Sequence, residues 1–396
     1  MLPRIKIFFE NGALRSSFPM PDSVGGFVCT GVAVAGKFAL STPYVLRRLE
    51  SLEELGITEA NNPDIYKVVR EFYAEAAADV ECWLLGVPDT VKLSEMADMA
   101  NDNAKKLINA AQGRLRWLGF SRTPGVGYTP TIEDGLDADV ALAVGKAQEL
   151  CEWATTSRYA PLFAIVEAAE FSDNAIELAA VNQLTDNRVG VFIGDTVVNS
   201  KKASIGTFLG RIAVSPVQRN AARVKDGAVA PVKTYIGSKP TEIADFETIH
   251  DKGYITFRTY VNRGGYYFND DPLAAPVSDD YSQITRRRTV DKAYRIAYDV
   301  LSNELLEEVP INSDGTIPEG FIKSWQANVE GEIARQMSAN GELSANLKEG
   351  DRGVECYIDP AQNVASTSRI IVRIRVRPFG YARFIDVYLG FTTVAS

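Results

Sequence analysis

Hydrophobic and polar positions alternate from the start of the chain. Ile5, Ile7 and Phe9 fall on one face of an extended segment, Arg4, Lys6 and Phe8 on the other, and Asn11-Gly12 ends it. The pattern predicts a strand arm. Residues 16–26 are rich in Pro, Ser and Gly, which suits a linker, and 27–35 (FVCTGVAVA) read as the first buried strand. From about 65 to 215 two textures interleave. Segments 65–78, 94–111 and 138–157 have helical composition, the last being Ala-rich with Leu142, Leu150 and Trp153. Short apolar runs at 80–87, 115–120, 162–166 and 189–193 lie between and around them. Apolar strands this short, separated by helices, pair in parallel with helices covering the sheet. This predicts an α/β layer domain.

After His250 the texture changes. Residues 253–261 (GYITFRTYV) are β-rich, and 264–270 (GGYYFND) read as a turn and a short strand. A helix is predicted over 283–307, with Val290, Tyr294, Ala297, Leu301 and Leu305 at helical spacing, and a second over 318–339. Strands are predicted at 354–358, 369–377 and 384–391, the last with Ile385, Val387, Leu389 and Phe391 on one face. A lone terminal strand is unstable in water and must pair with a sheet. Sixteen extended residues reach up to ~55 Å, enough to meet a neighbouring subunit, and strand donation between subunits is an established mode of assembly. Pairing within the chain's own sheet fits the same pattern.

With 46% hydrophobic and 23% charged residues, the 396-residue chain is an ordinary soluble globular sequence of two or three domains. Its apolar runs are far short of the ~18 residues that span a membrane, and its first residues lack the apolar stretch of a signal peptide. The expectation is a protein made and kept in a cytoplasm, with no membrane insertion. A net charge of −9 argues against nucleic-acid binding. Cys29, Cys82, Cys151 and Cys356 are scattered, which suits buried thiols better than disulfides or a zinc site.

Candidate chemistry is sparse. Gly31 to Lys37 matches the Gly-x4-Gly-Lys spacing of a phosphate loop, but Phe38 stands where a magnesium-holding hydroxyl belongs. The intervening Val-Ala-Val-Ala reads as strand. Gly125-Val126-Gly127 opens no helix. Glu133, Asp134, Asp137 and Asp139 precede the Ala-rich helix, where acids complement the helix dipole. Asp270-Asp271 and Asp279-Asp280 read as loop and cap residues. His250 is the single histidine, with no partner base or nucleophile beside it. No catalytic residue, cofactor site or metal site is predicted.

Two basic features stand out. Alternation along the strand from Arg369 places Ile370, Val372, Ile374 and Val376 on one face and Arg369, Arg373, Arg375 and Arg377 on the other. Such a face is either a solvated edge that blocks aggregation or a contact for an acidic partner. Arg286, Arg287 and Arg288 open the long helix and Glu304, Glu307 and Glu308 close it, the reverse of what the dipole favours. Each exposed charge so placed costs about 0.3–1 kcal/mol, so either these charges answer to something outside their own helix or the helix starts further upstream, near Ser278 or Asp279.

The order of elements in the C-terminal half carries a resemblance. A Gly-Tyr-Ile-Thr-Phe-Arg strand is followed by Gly-Gly-Tyr-Tyr-Phe-Asn-Asp and the helix TRRRTVDKAYRIAYDVL. A second helix follows, then Tyr357-Ile358-Asp359-Pro360, the Arg/Ile strand ending in Arg377-Pro378, and Arg383-Phe384-Ile385-Asp386-Val387. Together these resemble the C-terminal domain of contractile tail sheath proteins, in the divergent branch of Bacteroidetes phages and related injection systems. The N-terminal Ile-Phe-Phe-Glu-Asn-Gly arm fits the same branch. The resemblance implies an α/β and α+β fold: an arm and linker at 1–25, an outer α/β domain at 26–250, a sheath core domain at 251–380 and a strand arm at 381–396. It implies a structural subunit that polymerises with itself around an inner tube protein, meets baseplate and terminator proteins, and contracts without a cofactor. Assembly would take place in the bacterial cytoplasm, the product being a virion tail or injection particle. On that picture Arg286, Arg287, Arg288 and Lys292 are expected to face the tube, with Arg369, Arg373, Arg375 and Arg377 as the second candidate contact. The competing readings are a baseplate or other tail component, and a nucleotide- or small-molecule-binding α/β enzyme.

Overall fold

The computed structural model describes residues 22–76 and 79–388. The arm positions Ile5, Ile7, Phe9, Leu389 and Phe391 lie outside the described residues. The chain divides into two compact units between Asp299 and Val300.

The first unit is built on eight strands: β1 (Gly25–Thr30), β2 (Pro43–Leu46), β3 (Cys82–Val87), β4 (Trp117–Ser121), β5 (Phe163–Glu167), β6 (Val189–Ile193), β7 (Ile255–Tyr260) and β8 (Arg263–Phe268). They form one sheet in the order β8-β7-β6-β5-β4-β1-β3-β2. The six central strands are parallel, as the apolar runs at 80–87, 115–120, 162–166 and 189–193 predict for β3, β4, β5 and β6. Both edge pairs are antiparallel. Helices cover both faces. On one face α1 (Pro63–Glu75) and α5 (Ile205–Val214) pack Ile65, Phe72, Phe208 and Leu209 against Phe27, Trp117, Phe163 and Phe192. On the other, α2 (Leu93–Ala97), α3 (Ala104–Ala111) and α4 (Ala138–Arg158) bring Met96, Leu107, Val144 and Leu150 onto Val28, Leu85, Phe120 and Val166.

Two expectations need correction, and one helix was not anticipated. The domain boundary expected at 250 is absent, because β7 pairs with β6 (Ile255 with Phe192) and buries Ile255 and Phe257 completely. The open edge of β6 recruits the strand pair that sequence texture assigned to the next domain. The helix expected over 94–111 is broken between Ala97 and Ala104. There Asp98, Asn101 and Asn103 bond the backbone, Asp98 accepting from the Ala100 amide and both asparagines donating to the Glu95 carbonyl. Helix α5 had no sequence signal, since two glycines lower its helix propensity. They serve packing: a Cβ on Gly206 would lie 2.2 Å from the Val68 carbonyl oxygen, and one on Gly210 2.5 Å from that of Phe72. Only glycine lets α5 lie this close to α1.

Helix α6 (Ile284–Ser302) starts in the core of the first unit, where Ile284 is fully buried. The second unit contains α7 (Glu319–Gln336) and a two-stranded antiparallel sheet of β9 (Val354–Ile358) and β10 (Val372–Val376). Ile317, Ile322, Trp325 and Ile358 form its small core, with Ile370 and Val372 partly covered beside them.

Candidate assembly surfaces

All six central strands begin at one edge of the sheet, so the helices that precede them end there, exposing carbonyl oxygens and the negative ends of their dipoles. The arginines of α6 lie along that edge. Arg288 donates to the carbonyls of Ser215 (2.8 Å) and Pro216 (3.4 Å), just past the end of α5. Arg287 donates to the Asn187 carbonyl and side chain at 3.2 and 2.8 Å and lies over the Tyr281 ring. Asp291 receives both terminal nitrogens of Arg188 at 2.9 and 3.2 Å, with both side chains 6% exposed. Asp22, ahead of β1, pairs with Lys292 at 2.7 Å and with Arg295. Burial opposes its ionisation, but Arg295 and Lys292 hold its carboxyl below the usual range. Arg116 sits among these cations; burial, then the charge of Arg295, pushes its pKa down to about 9.

The expectation that the basic start of this helix faces a partner is therefore not met for three of its four residues. Arg287 and Arg288 are 6% and 5% exposed, and Lys292 is paired inside the unit; Arg286 is half-buried. The reversed charge order of α6 is explained, because its cations are answered inside the first unit: Arg288 by carbonyls just past α5, Arg287 by Asn187, and Lys292 and Arg295 by Asp22. Sequence spacing shows the anomaly but not which backbone carbonyls resolve it.

At the opposite edge, the Gly31–Lys37 segment is no phosphate loop. Val34 and Phe38 bridge to each other across a tight turn with Gly36 at φ +69°, and Phe38 is buried instead of opening a helix. Asp137 caps α4 through the Asp139 amide and accepts from the Tyr128 hydroxyl at 2.6 Å. Back at the strand-start edge, Asp271 accepts from the Thr285 amide at the start of α6, and His250 contacts the Asn269 side chain at 3.1 Å. A crevice of about 100 Å³ opens beside Arg122, Tyr128, Asp137, Lys201 and Lys202. Its basic groups are tied down internally: Lys202 to Asp64 and Thr123 (both 2.7 Å), Lys201 to the Phe171 carbonyl and Arg122 to the Val91 carbonyl. Behind it Glu167 is fully buried and accepts from Ser121 and the Arg122 amide; burial raises its pKa. These carboxylates and cations cross-link the sheet edge.

The second unit presents different surfaces. Along β10 exposure alternates as predicted: Val372, Ile374 and Val376 are half-buried, while Arg369, Arg373, Arg375 and Arg377 are exposed. Arg377 pairs with Asp351 at 2.5 Å and Arg375 reaches Glu355 at 4.0 Å. Among the described residues Arg369 and Arg373 have no ion pair. Beyond β10, residues 377–388 form no strand within the chain. Phe384, Ile385, Val387 and Tyr388 are 87%, 76%, 70% and 94% exposed. Over its described part, the strand expected at 384–391 has no strand partner among the described residues.

The chain matches the DUF2586 N-terminal domain over residues 2–272 and the DUF2586 C-terminal domain over 280–396. No curated protein matches it. Among solved structures, a chain of the anti-feeding prophage (AFP) helical sheath in its contracted state is 15% identical, with a TM-score of 0.61 and 99% of each chain covered. A chain of the contracted PVC sheath complex, from an extracellular contractile injection system, is also 15% identical. Its TM-score is 0.61, over 99% of this chain and 98% of that one. A chain of the contracted AFP baseplate is 14% identical, with a TM-score of 0.65 over 97% of each. At these identities the likeness is one of fold, and it runs nearly end to end. With both domains matched in order across almost its whole length, the chain belongs to the DUF2586 family and has a sheath-like α/β and α+β fold.

Proposed function

We propose that this chain is the subunit of a contractile sheath, which polymerises with itself around an inner tube and shortens to drive the tube through a target envelope. The observation that carries the reading is the exposed apolar segment 384–388, which follows a two-stranded sheet on a sheath-like fold. A two-stranded sheet is marginal by itself in water, and four large apolar side chains within five residues, interrupted only by Asp386, are largely uncovered among the described residues. Strand addition across copies satisfies both, through backbone hydrogen bonds and apolar pockets. The end-to-end likeness to chains of contracted AFP and PVC sheaths supports the same reading. Residues 1–15 are the second proposed arm. Contraction would draw on interfaces with two alternative packings and needs no nucleotide. The further partners proposed are the tube protein, the baseplate and a terminator, with assembly in the bacterial cytoplasm. No helix among the described residues is long and apolar enough to cross a membrane.

The test is electron microscopy of the purified, untagged protein, alone and with its tube protein. Hollow helical tubes or stacked rings are expected, and removing residues 381–396 abolishes them. A protein that stays monomeric under both conditions overturns the reading. The likeness to AFP baseplate chains favours a baseplate role as the second reading. Copy number in the particle separates the two, a sheath being among the most abundant tail proteins.

A further inference from the structure

Between α6 and α7 the chain carries Glu304-Leu305-Leu306-Glu307-Glu308. Leu305 is 72% exposed and Leu306 completely so. Leu306 also holds φ at +66°, a left-handed conformation that is costly for leucine and persists where something over-determines it. Glu304, Glu307 and Glu308 have no ion pair among the described residues. The segment thus offers three carboxylates around two uncovered leucines.

The arginine face of the β9–β10 sheet has the complementary character. Arg369 and Arg373 have no carboxylate partner among the described residues, and the Arg375–Glu355 pair is loose at 4.0 Å. Beside them lie Tyr357 and Ile371, 45% and 46% exposed. Three carboxylates and two leucines therefore match three arginines and two half-covered apolar side chains, and no described ion pair joins the two surfaces within one copy.

We propose that the acidic leucine segment 304–308 of one copy docks on the arginine face of the β9–β10 sheet of a second copy. The two surfaces differ, so the contact is heterologous: each copy uses one surface to receive and the other to donate. Such a contact propagates as a ring or a helical filament instead of closing a dimer. Opposite charges fix its register, while the leucines supply the apolar burial. The inference rests on the assembly reading above and names one of its contacts.

Site-specific cross-linking between copies tests it. Leu305→Cys and Ile371→Cys are made in separate chains and mixed under mild oxidation, the four native cysteines all being buried. A disulfide-linked pair of chains is expected in several-fold excess over a control mixture of Leu305→Cys with Val126→Cys, an exposed loop position of the first unit. The excess falls near 1 M salt, where the Debye length drops to ~3 Å. Glu307→Arg with Glu308→Arg removes it, and adding Arg373→Glu with Arg375→Glu on the receiving chain restores it. Cross-linking no greater than the control overturns the proposal. Tubes without this cross-link leave the sheath reading standing and sink the contact; the cross-link without tubes does the reverse.

Discussion

In the first unit Arg188 and Asp291 face each other at 2.9 Å, both nearly sealed from solvent, and Arg287 and Arg288 spend their donors on internal carbonyls. In the second unit Arg369 and Arg373 lie on an exposed strand face, and the apolar residues of 384–388 stand in water. Both regions are arginine-rich. The difference is size. An eight-stranded sheet covered on both faces buries enough apolar surface to hold charges inside and pair them. A two-stranded sheet on one helix does not, and leaves its charges and its edge for other chains. The described part of the first unit pairs its buried charges internally, whereas the second, as proposed, completes its sheet and answers its charges from a neighbour.

Deleting residues 381–396 gives the sharpest contrast. Assembly is lost entirely, while the thermal unfolding of the first unit stays where it was, as calorimetry on the truncated monomer would show. Asp291→Ala does the opposite. It takes the bidentate carboxylate from Arg188, leaving only Glu152 at 3.8 Å, and costs up to about 3–5 kcal/mol, read as a lower urea midpoint with secondary structure intact under native conditions. Gly206→Val drives a side chain into the backbone of α1. Overpacking of this kind costs about 1–3 kcal/mol, and the same substitution at Gly320, where an added Cβ meets nothing, gives the matched control.

The smallest effect concerns pH. Glu167 is held above its ordinary value of 4.5 because burial penalises its charge. A raised carboxyl pKa means that the folded state binds the proton more tightly than the unfolded chain. The stability it contributes is full below the ordinary value and is lost as pH rises through the raised one. Glu167→Gln keeps an acceptor for the Arg122 amide and cannot ionise. Its stability relative to the parent should therefore increase with pH across that window, in melting curves taken from pH 4 upward. A difference that stays constant or shrinks breaks the argument.

Much of this was legible in the chain. The runs at 80–87, 115–120, 162–166 and 189–193 contain strands of a parallel sheet because their predominantly apolar residues must be covered on both sides. The alternation from Arg369 to Arg377 reappears as alternating exposure, since strand period alone sets it. Helix α5 was illegible, because Gly206 and Gly210 look like breakers until the carbonyls of Val68 and Phe72 are seen beside them. The boundary at 250 failed for a related reason: β7 belongs to the first sheet through an edge pairing that no local pattern encodes.

The candidate contacts divide in the same way. Sequence by itself determined which residues are basic, which of them share a strand face and that apolar residues alternate near both termini, since these follow from local periodicity and composition. It could not determine which basic face is free. Arg287 and Arg288 are internal because α6 lies along the edge where the parallel strands begin, against the Ser215 carbonyl past α5 and the Asn187 carbonyl ahead of β6. Arg369 and Arg373 are exposed because the sheet that carries them is two strands wide, with a helix to cover only its apolar side. The same side chain takes either role according to what the long-range packing places opposite it.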